Sequence, residues 1–457
     1  MQENKPNQNP EFGHNTDFMI EKIKERPVNK KKLFRRTIIT AAMAVIFGSI
    51  ACLTFLLLEP VINKWLYPED EPAPVVFPEA IEEMAPEDML SENSSTINSG
   101  NQGNSYSGLS QKQIQMLLSG VVLDKENYAQ VYNAMASYVA ELNHSMVTVT
   151  SVSSNLDWFN DIAESKNQAS GIIIANNGKE LLILVDYTPL RRAESMTMTF
   201  SFLNAATNSR SEYQIPVTLK RIDGSTNLAV LSANLKDIPE GLFGENGITI
   251  ASLGSSNFKN PVGTPVIAMG SPMGISGSVG YGVITATAAQ NQKVDSNYKI
   301  FQTDIYGSQN AGGVLFDLQG KVIGVITTQN SDTDMKNMIK AYGISELKTR
   351  IEQISNGKRL AYIGISAVDV TKEVHEKQGV PYGAFIRDVE MDSPAMLEGI
   401  QQGDVLTSFN GTEIRTYNDY INALLQETPG NTAKLTIMRS VQGEYKEMEI
   451  AILLVTQ

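Results

Sequence analysis

The sequence predicts a mainly β protein with one transmembrane helix near its N-terminus and a smaller α+β domain at its C-terminus. Three observations support this fold class. Residues 37–58 form an uncharged apolar run, residues 145–345 alternate short apolar stretches with turn residues, and residues 358–457 combine strand, hairpin and helix signals. At 457 residues, the chain is long enough for two or three domains and their connecting segments.

Composition and charge exclude several classes of protein. The chain is 42% hydrophobic and 19% charged, which is ordinary for a globular protein. Its net charge of -13 argues against a nucleic-acid binder, which normally presents a basic face. A single cysteine, Cys52, excludes an intramolecular disulfide. Because the sequence lacks metal-site Cys/His spacing and a dinucleotide fingerprint, we expect neither a metal site nor a cofactor.

The first 58 residues predict a membrane anchor. Residues 1–36 form a polar tail that ends in a basic cluster, and residues 37–58 are uncharged and long enough to span a bilayer as a helix. A core helix seldom stays uncharged for this length. The long polar tail and the missing cleavage site argue against a signal peptide. Because the basic cluster precedes the helix, we expect a single-pass protein with a cytoplasmic N-terminus and an extracytoplasmic bulk.

A linker and a helical segment are predicted next. Residues 59–110 are acidic and Pro-rich at first and then rich in Ser, Asn and Gly, so they cannot bury enough apolar surface to fold. This composition predicts a disordered tether. Apolar residues in the segment 111–144 recur at helical spacing, which predicts a helix.

The sequence pattern of residues 145–355 indicates an all-β domain. Short β-branched and aliphatic runs alternate with Gly, Asn and Ser turns, as in barrels and sandwiches. The glycine-rich segment 270–282 lacks the Gly-Lys-Ser/Thr end of a phosphate-binding loop, and no helical pattern follows it. We therefore reject a nucleotide-binding function for this segment.

Several motifs resemble the HtrA family of trypsin-fold serine proteases. Residues 301–328 contain Q-T-D followed by the Gly312-Gly313 pair, which is similar to the nucleophile loop of that family. The glycine segment 270–282 matches a second family motif. Residues 358–457 resemble the family's PDZ domain, with D-S-P-A, G-D-V-L and the Asn410-Gly411 turn in register. The resemblance covers roughly residues 145–457.

The resemblance implies a trypsin-like double β-barrel over residues 145–355 and a PDZ domain over residues 358–457. In the PDZ domain, Tyr362, Ile363, Gly364 and Ile365 match the carboxylate-binding loop, whose backbone N–H groups capture a peptide C-terminus. Residues 416–425 have the length and spacing of the helix beside the peptide groove. The family also suggests that the helical segment 111–144 is an oligomer contact; packing on its own domain is an equally good interpretation.

The catalytic positions depart from the family. By local context, Thr188 stands where the histidine is expected, Asn227 where the aspartate is expected, and Ala311 where the serine is expected. A serine protease needs a hydroxyl, an imidazole and a carboxylate in these three roles. The loop of Gln309, Asn310 and Ala311 is also slightly shorter than in the family, and Gln309 replaces a glycine, so its oxyanion hole is expected to be degenerate.

The histidine count supports this interpretation independently. The chain has three histidines, His14, His144 and His375, and none follows a predicted strand where a base is needed. Ser308 is a candidate displaced nucleophile, but no base is identifiable for it, and serine is common in turns. We therefore expect no intact catalytic residue.

The sequence leads to one main hypothesis and two alternatives. The main hypothesis is a membrane-anchored pseudoprotease that binds peptide C-termini or unfolded proteins in protein quality control. Its partners are expected to be further copies of itself, such as a trimer, or an active HtrA-type paralogue, and not nucleic acid. The alternatives are an active endopeptidase with an unconventional site and a scaffold that binds no peptide.

Overall fold

The computed structural model describes residues 34–35, 38–50, 52, 54, 72–78, 125–156, 162–204, 209–239, 241–243, 247–328 and 337–456. The chain divides into two compact units, Met1–Glu71 and Pro72–Gln457. In the first unit, residues 38–50 are helical. Within the described ranges, no helix is both long enough and apolar enough to cross a membrane. Residues 37, 51, 53 and 55–58 of the predicted anchor lie outside those ranges, as do nearly all of the basic tail and most of the predicted linker.

The first β domain is one seven-stranded antiparallel sheet. Its strands are β1 Met146–Leu156, β2 Ile162–Asn176, β3 Glu180–Asp186, β4 Ser195–Asn204, β5 Ser209–Pro216, β6 Thr218–Asp223 and β7 Leu228–Asn234. They pair in the order β5-β4-β1-β2-β3-β7-β6. Both faces of β3 are buried: Leu181 and Ile183 belong to the core of this domain, whereas Leu182 and Leu184 contact a second core outside it. This explains why β3 reads as a continuous apolar run.

The second β domain contains a closed barrel. Its strands are β8 Ser252–Leu253, β9 Pro265–Ser271, β10 Ser278–Lys293, β11 Ser296–Tyr306, β12 Gly312–Phe316, β13 Lys321–Thr327 and β14 Met338–Gly343. The order is β12-β9-β10-β11-β14-β13-β8, and β12 also pairs with β13, which closes six strands into a ring. Apolar side chains fill its interior, among them Ala268, Phe301, Leu315, Ile323 and Ala341. The mainly β prediction is confirmed for this part of the chain.

Two helices flank the β domains. Helix α1, Lys125–Leu142, lies within the predicted helical segment 111–144, of which residues 111–124 lie outside the described ranges. Tyr138 and Leu142 of its last turns pack against the core, whereas Tyr128 and Tyr132 of its first turns are exposed. The last turns therefore pack on their own domain. The exposed side chains of the first turns are available for the predicted oligomer contact, which stays a prediction. Helix α2, Ile344–Ser355, follows β14 and buries one apolar face.

A short segment of the predicted linker is held against α2. Val75 is buried, and its backbone N–H and C=O both bond to the side chain of Asn356, at 2.8 and 2.7 Å. The Phe77 N–H donates to the Glu352 carboxylate at 3.1 Å. The composition of the linker did not predict this contact, because its partners lie near residue 350 of the chain.

The C-terminal domain has the predicted α+β content. Its elements are β15 Ala361–Tyr362, β16 Ile365–Asp369, α3 Lys372–Gln378, β17 Ala384–Val389, α4 Pro394–Leu397, β18 Val405–Phe409, β19 Thr412–Glu413, α5 Tyr417–Leu425, β20 Thr432–Val441, β21 Glu444–Leu453 and β22 Val455–Thr456. The main sheet runs β16-β17-β18-β20-β21, so β16 is an edge strand. Asn410 and Gly411 both have positive φ, as the predicted tight turn requires. Thr416 and Asp419 form a capping box that starts α5.

Candidate functional site

A cleft of about 600 Å³ lies between the two β domains. It brings Thr188 together with the loop of residues 309–311, which is far from it in sequence. The lining combines apolar atoms with hydroxyl, amide and charged groups, from Thr150, Lys166, Gln168, Ser170, Asp186, Thr188, Ser271, Ser276, Gln309, Asn310 and Ala311 among others. No imidazole lines the cleft within the part of the chain that the structure describes. The cleft can therefore form hydrogen bonds, but it offers no histidine base.

Thr188 begins a short 3₁₀ helix, Thr188–Leu190, directly after β3. Its N–H donates to the Asp186 carboxylate at 2.8 Å, and its side chain is exposed. A threonine hydroxyl cannot take a proton from a nucleophile at neutral pH, which is the task of the base in this chemistry. Thr188 therefore occupies a wall of the cleft without supplying a base.

Asn227 lies beside this turn. Its backbone carbonyl accepts a hydrogen bond from the Tyr187 N–H at 2.8 Å, next to Thr188 in the chain. Its side-chain oxygen accepts a hydrogen bond from the Arg191 guanidinium. Its φ of +58° is one that asparagine tolerates better than most residues. The amide is neutral and already bonded, so it does not act as a charged group that orients a base.

Ala311 is buried, and its methyl group packs in the core of the closed barrel. Its N–H donates to the Ser308 carbonyl at 3.1 Å, and the Asn310 N–H donates to the Ser308 hydroxyl at 3.2 Å. An oxyanion hole needs backbone N–H groups aimed at one point in the cleft. Here the N–H groups of Asn310 and Ala311 are directed back into their own turn. The degenerate oxyanion hole stays a prediction.

The two described histidines, His144 and His375, form no site with Ser308. The Nδ1 atom of His144 lies 2.8 Å from the Gly247 carbonyl, and that of His375 lies 2.7 Å from the Val380 carbonyl. His375 also stacks on Tyr382. His14 lies outside the described residues. Neither described histidine lines the cleft, and the Ser308 hydroxyl takes part in a turn.

The predicted carboxylate-binding loop lies between β15 and β16. Its form depends on Gly364, which has φ +94° and whose missing Cβ would lie 2.2 Å from the Ser393 Cβ. The N–H groups of Ile363, Gly364 and Ile365 all point to one side of the loop. The Tyr362 hydroxyl points elsewhere and donates to the Glu390 carboxylate at 2.6 Å; burial raises the pKa of Tyr362. The loop therefore has the converging donors that carboxylate capture needs.

The three N–H groups already have a carboxylate acceptor. Asp295, from the turn between β10 and β11, accepts from Ile363 and Gly364 at 2.7 Å each and from Ile365 at 3.1 Å. The Tyr420 hydroxyl of α5 donates to the same carboxylate at 2.6 Å. Burial raises the pKa of the Asp295 carboxyl, and these four hydrogen bonds lower it in part. Asp295 was not predicted as a site residue. Two strand-like runs around it indicate a hairpin, but nothing local indicates its distant partners.

Comparisons with known protein families agree with this architecture. Residues 169–325 match the trypsin-like peptidase domain, and residues 361–452 match the PDZ domain.

Curated relatives include a probable periplasmic serine endoprotease DegP-like of Pseudomonas savastanoi pv. phaseolicola, which is 28% identical over 308 residues. That match covers 63% of this chain and 56% of the relative, so the chain spans little more than half of its length. A mitochondrial serine protease HTRA2 of Drosophila sechellia is 26% identical, over 70% of this chain and 75% of the relative.

Among solved structures, the HtrA-type protease AlgW with decapeptide is 20% identical, with a TM-score of 0.48. This match covers 70% of this chain and 98% of the solved chain.

Proposed function

We propose that the chain is an HtrA-like pseudoprotease, in which a trypsin-like peptidase domain precedes a PDZ domain, and that it binds peptides without cutting them. The proposal is carried by the cleft, which Thr188 and Ala311 line and beside which Asn227 lies. By the resemblance, Thr188, Ala311 and Asn227 take the places of base, nucleophile and orienting acid. The loop N–H groups that bond to Ser308 support the same conclusion.

We expect the purified chain to leave unfolded casein intact. Loss of triad members lowers the rate of a serine protease by about 10⁴- to 10⁶-fold, so turnover should stay at background beside an active HtrA-type peptidase. The measurement is release of labelled casein fragments. Ser308→Ala should change nothing. Casein turnover that Ser308→Ala abolishes would instead establish the alternative, an active endopeptidase with an unconventional site.

The proposed ligands are peptide C-termini or exposed segments of unfolded proteins, captured by Tyr362, Ile363, Gly364 and Ile365. The converging N–H groups of the loop and the edge position of β16 support this, because a peptide can add to an edge strand. In the scaffold alternative, the PDZ domain binds no peptide. Saturable binding of peptides with a free C-terminus, and not of their amidated forms, separates the two hypotheses.

We also propose that the protein is anchored by residues 37–58 with its bulk outside the cytoplasm, where it acts in protein quality control. The uncharged run, the preceding basic cluster and the periplasmic naming of bacterial relatives support this location. Partners would be further copies of the chain, such as a trimer, or an active HtrA-type paralogue. Retention in alkali-washed membranes, with the C-terminal domain accessible to protease from outside, measures the topology; recovery in the soluble fraction counts against it.

A further inference from the structure

The turn between β10 and β11 reaches out of the barrel into the PDZ domain. Lys293 and Ser296 form the last pair of the hairpin, which leaves Val294 and Asp295 as its two turn residues. Residues at hairpin tips are normally exposed, but Asp295 is 1% exposed. Its φ of +50° is one that aspartate tolerates. The tip is therefore buried because it enters another domain.

Asp295 makes the contacts that a bound peptide terminus would make. Its carboxylate accepts from three successive N–H groups of the loop, those of Ile363, Gly364 and Ile365. Its own backbone N–H donates to the Ile365 carbonyl at 2.8 Å, as a residue added beside the edge strand β16 does. Both the terminal charge and the first strand-like contact of a peptide are thus supplied by the chain itself.

Both domains hold the hairpin tip in place. From the barrel side, the Arg350 guanidinium donates to the Asp295 carbonyl and pairs with Asp223 at 3.0 Å. From the PDZ side, the Tyr417 hydroxyl lies 2.7 Å from the Lys293 carbonyl, its hydrogen-bond acceptor. None of these contacts belongs to the ladder between β10 and β11, which ends at the pair Lys293 and Ser296, so breaking them does not by itself unpair the barrel strands.

We propose that Asp295 is an internal ligand of the PDZ carboxylate-binding loop, and that a partner's C-terminus binds only by displacing it. The proposal rests on the proposed peptide-binding function, because it names how that same loop is regulated. The hairpin tip and a peptide terminus require the same three N–H donors, so their binding is mutually exclusive. Peptide binding would then free the hairpin, whose strand β11 leads directly to the loop at Ser308.

The internal ligand is suited to exchange with an external one. Because Asp295 is tethered to the loop through the chain, it competes with an external peptide at a high effective concentration. The apparent dissociation constant of the peptide is its intrinsic value divided by the fraction of molecules in which the loop is open. Burial raises the pKa of Asp295, so ionising the carboxyl in this site carries a desolvation cost that is recovered when the tip returns to water. The contact therefore blocks the loop, but an external peptide can still displace it.

The test removes the carboxylate and preserves the turn. Asp295→Gly suits the positive φ and leaves the loop N–H groups without their acceptor. Asp295→Asn is the second variant, for use if the glycine variant does not fold. Asp392→Gly is the matched control, since Asp392 is also acidic, has φ +60° and is exposed.

The full chain is titrated with fluorescein-labelled decapeptides that end in an apolar residue, each with a free and an amidated C-terminus. In parallel, hydrogen exchange is measured at the amides of residues 363–365. Removing the carboxylate should tighten binding of the free-acid peptides at least about tenfold over wild type and Asp392→Gly, without a gain for amidated peptides. Exchange at the three amides should accelerate to a similar extent.

Four outcomes separate this proposal from the peptide-binding proposal. Tighter free-acid binding with faster exchange supports both. Faster exchange without any peptide binding supports the internal ligand and overturns peptide capture. Equal binding by wild type and Asp295→Gly overturns the internal ligand and leaves peptide capture standing. Unchanged exchange without peptide binding overturns both.

Discussion

Replacing Arg350 with alanine should lower the free energy of unfolding of the unit 72–457 by about 3–5 kcal/mol. Arg350 and Asp223 form an ion pair at 3.0 Å with side chains only 3% and 2% exposed. The variant leaves the Asp223 carboxylate buried without its charge partner, and the Asp295 carbonyl loses a donor. A buried charge without a partner costs far more than an exposed one. Urea unfolding followed by far-UV circular dichroism measures the loss.

Arg415→Ala is the matched control for this prediction. Arg415 also forms an ion pair, with Glu413 at 2.9 Å, but both side chains are largely exposed. Such pairs contribute little to stability, so we expect no measurable shift of the urea midpoint. If the two variants were equally stable, the Arg350–Asp223 pair would have to be accessible to water, contrary to its burial.

Replacing Gly313 with alanine should destabilise the barrel by about 2–5 kcal/mol. Gly313 has φ +113°, and an added Cβ would lie 2.0 Å from the Met269 carbonyl oxygen. That oxygen belongs to the neighbouring strand β9, whose Met269 pairs with Val314, so it cannot move away without disturbing the ladder. Thermal unfolding measured by circular dichroism should show a clear decrease in Tm.

Gly178→Ala provides the comparison, because Gly178 also has positive φ but would meet no atom within 4 Å. Gly178→Ala should therefore lower the free energy of unfolding only through backbone strain, by about 1 kcal/mol. The difference between the two variants therefore isolates the steric contact at β12. Equal losses would mean that β12 and β9 approach less closely than the pairing of Gly313 with Gly270 indicates.

Local signals predicted much of the fold correctly. Asn410 and Gly411 predicted a tight turn because both residues tolerate positive φ, and the apolar spacing of residues 416–425 predicted a helix that the structure places at Tyr417–Leu425. The linker prediction missed the contact of Val75 with Asn356. A prediction from composition considers only what a segment can bury alone, and Val75 is buried by a helix from another part of the chain.

The sequence supplies the residue identities at the candidate cleft but not the hydrogen bonds that these residues form. With the resemblance, the identities of Thr188, Asn227 and Ala311 predict a missing base, acid and nucleophile, because the chemistry depends on functional groups. The bond between Arg191 and Asn227 and the inward turn of the Ala311 N–H depend on backbone path. The resemblance carries no information on either.

The sequence by itself determined that an alanine precedes Gly312, where the resemblance predicts a nucleophile, and that none of the three histidines follows a predicted strand where a base is needed. These are properties of residue identity and do not depend on how the chain folds. The loss of catalysis stays a prediction. Only the tertiary structure decided that Asp295 occupies the carboxylate-binding loop, since hydrogen bonds to Ile363, Gly364 and Tyr420 join residues from separate domains. From the sequence alone, a carboxylate at a hairpin tip is expected to be exposed to water. The fold instead places four hydrogen-bond donors around Asp295.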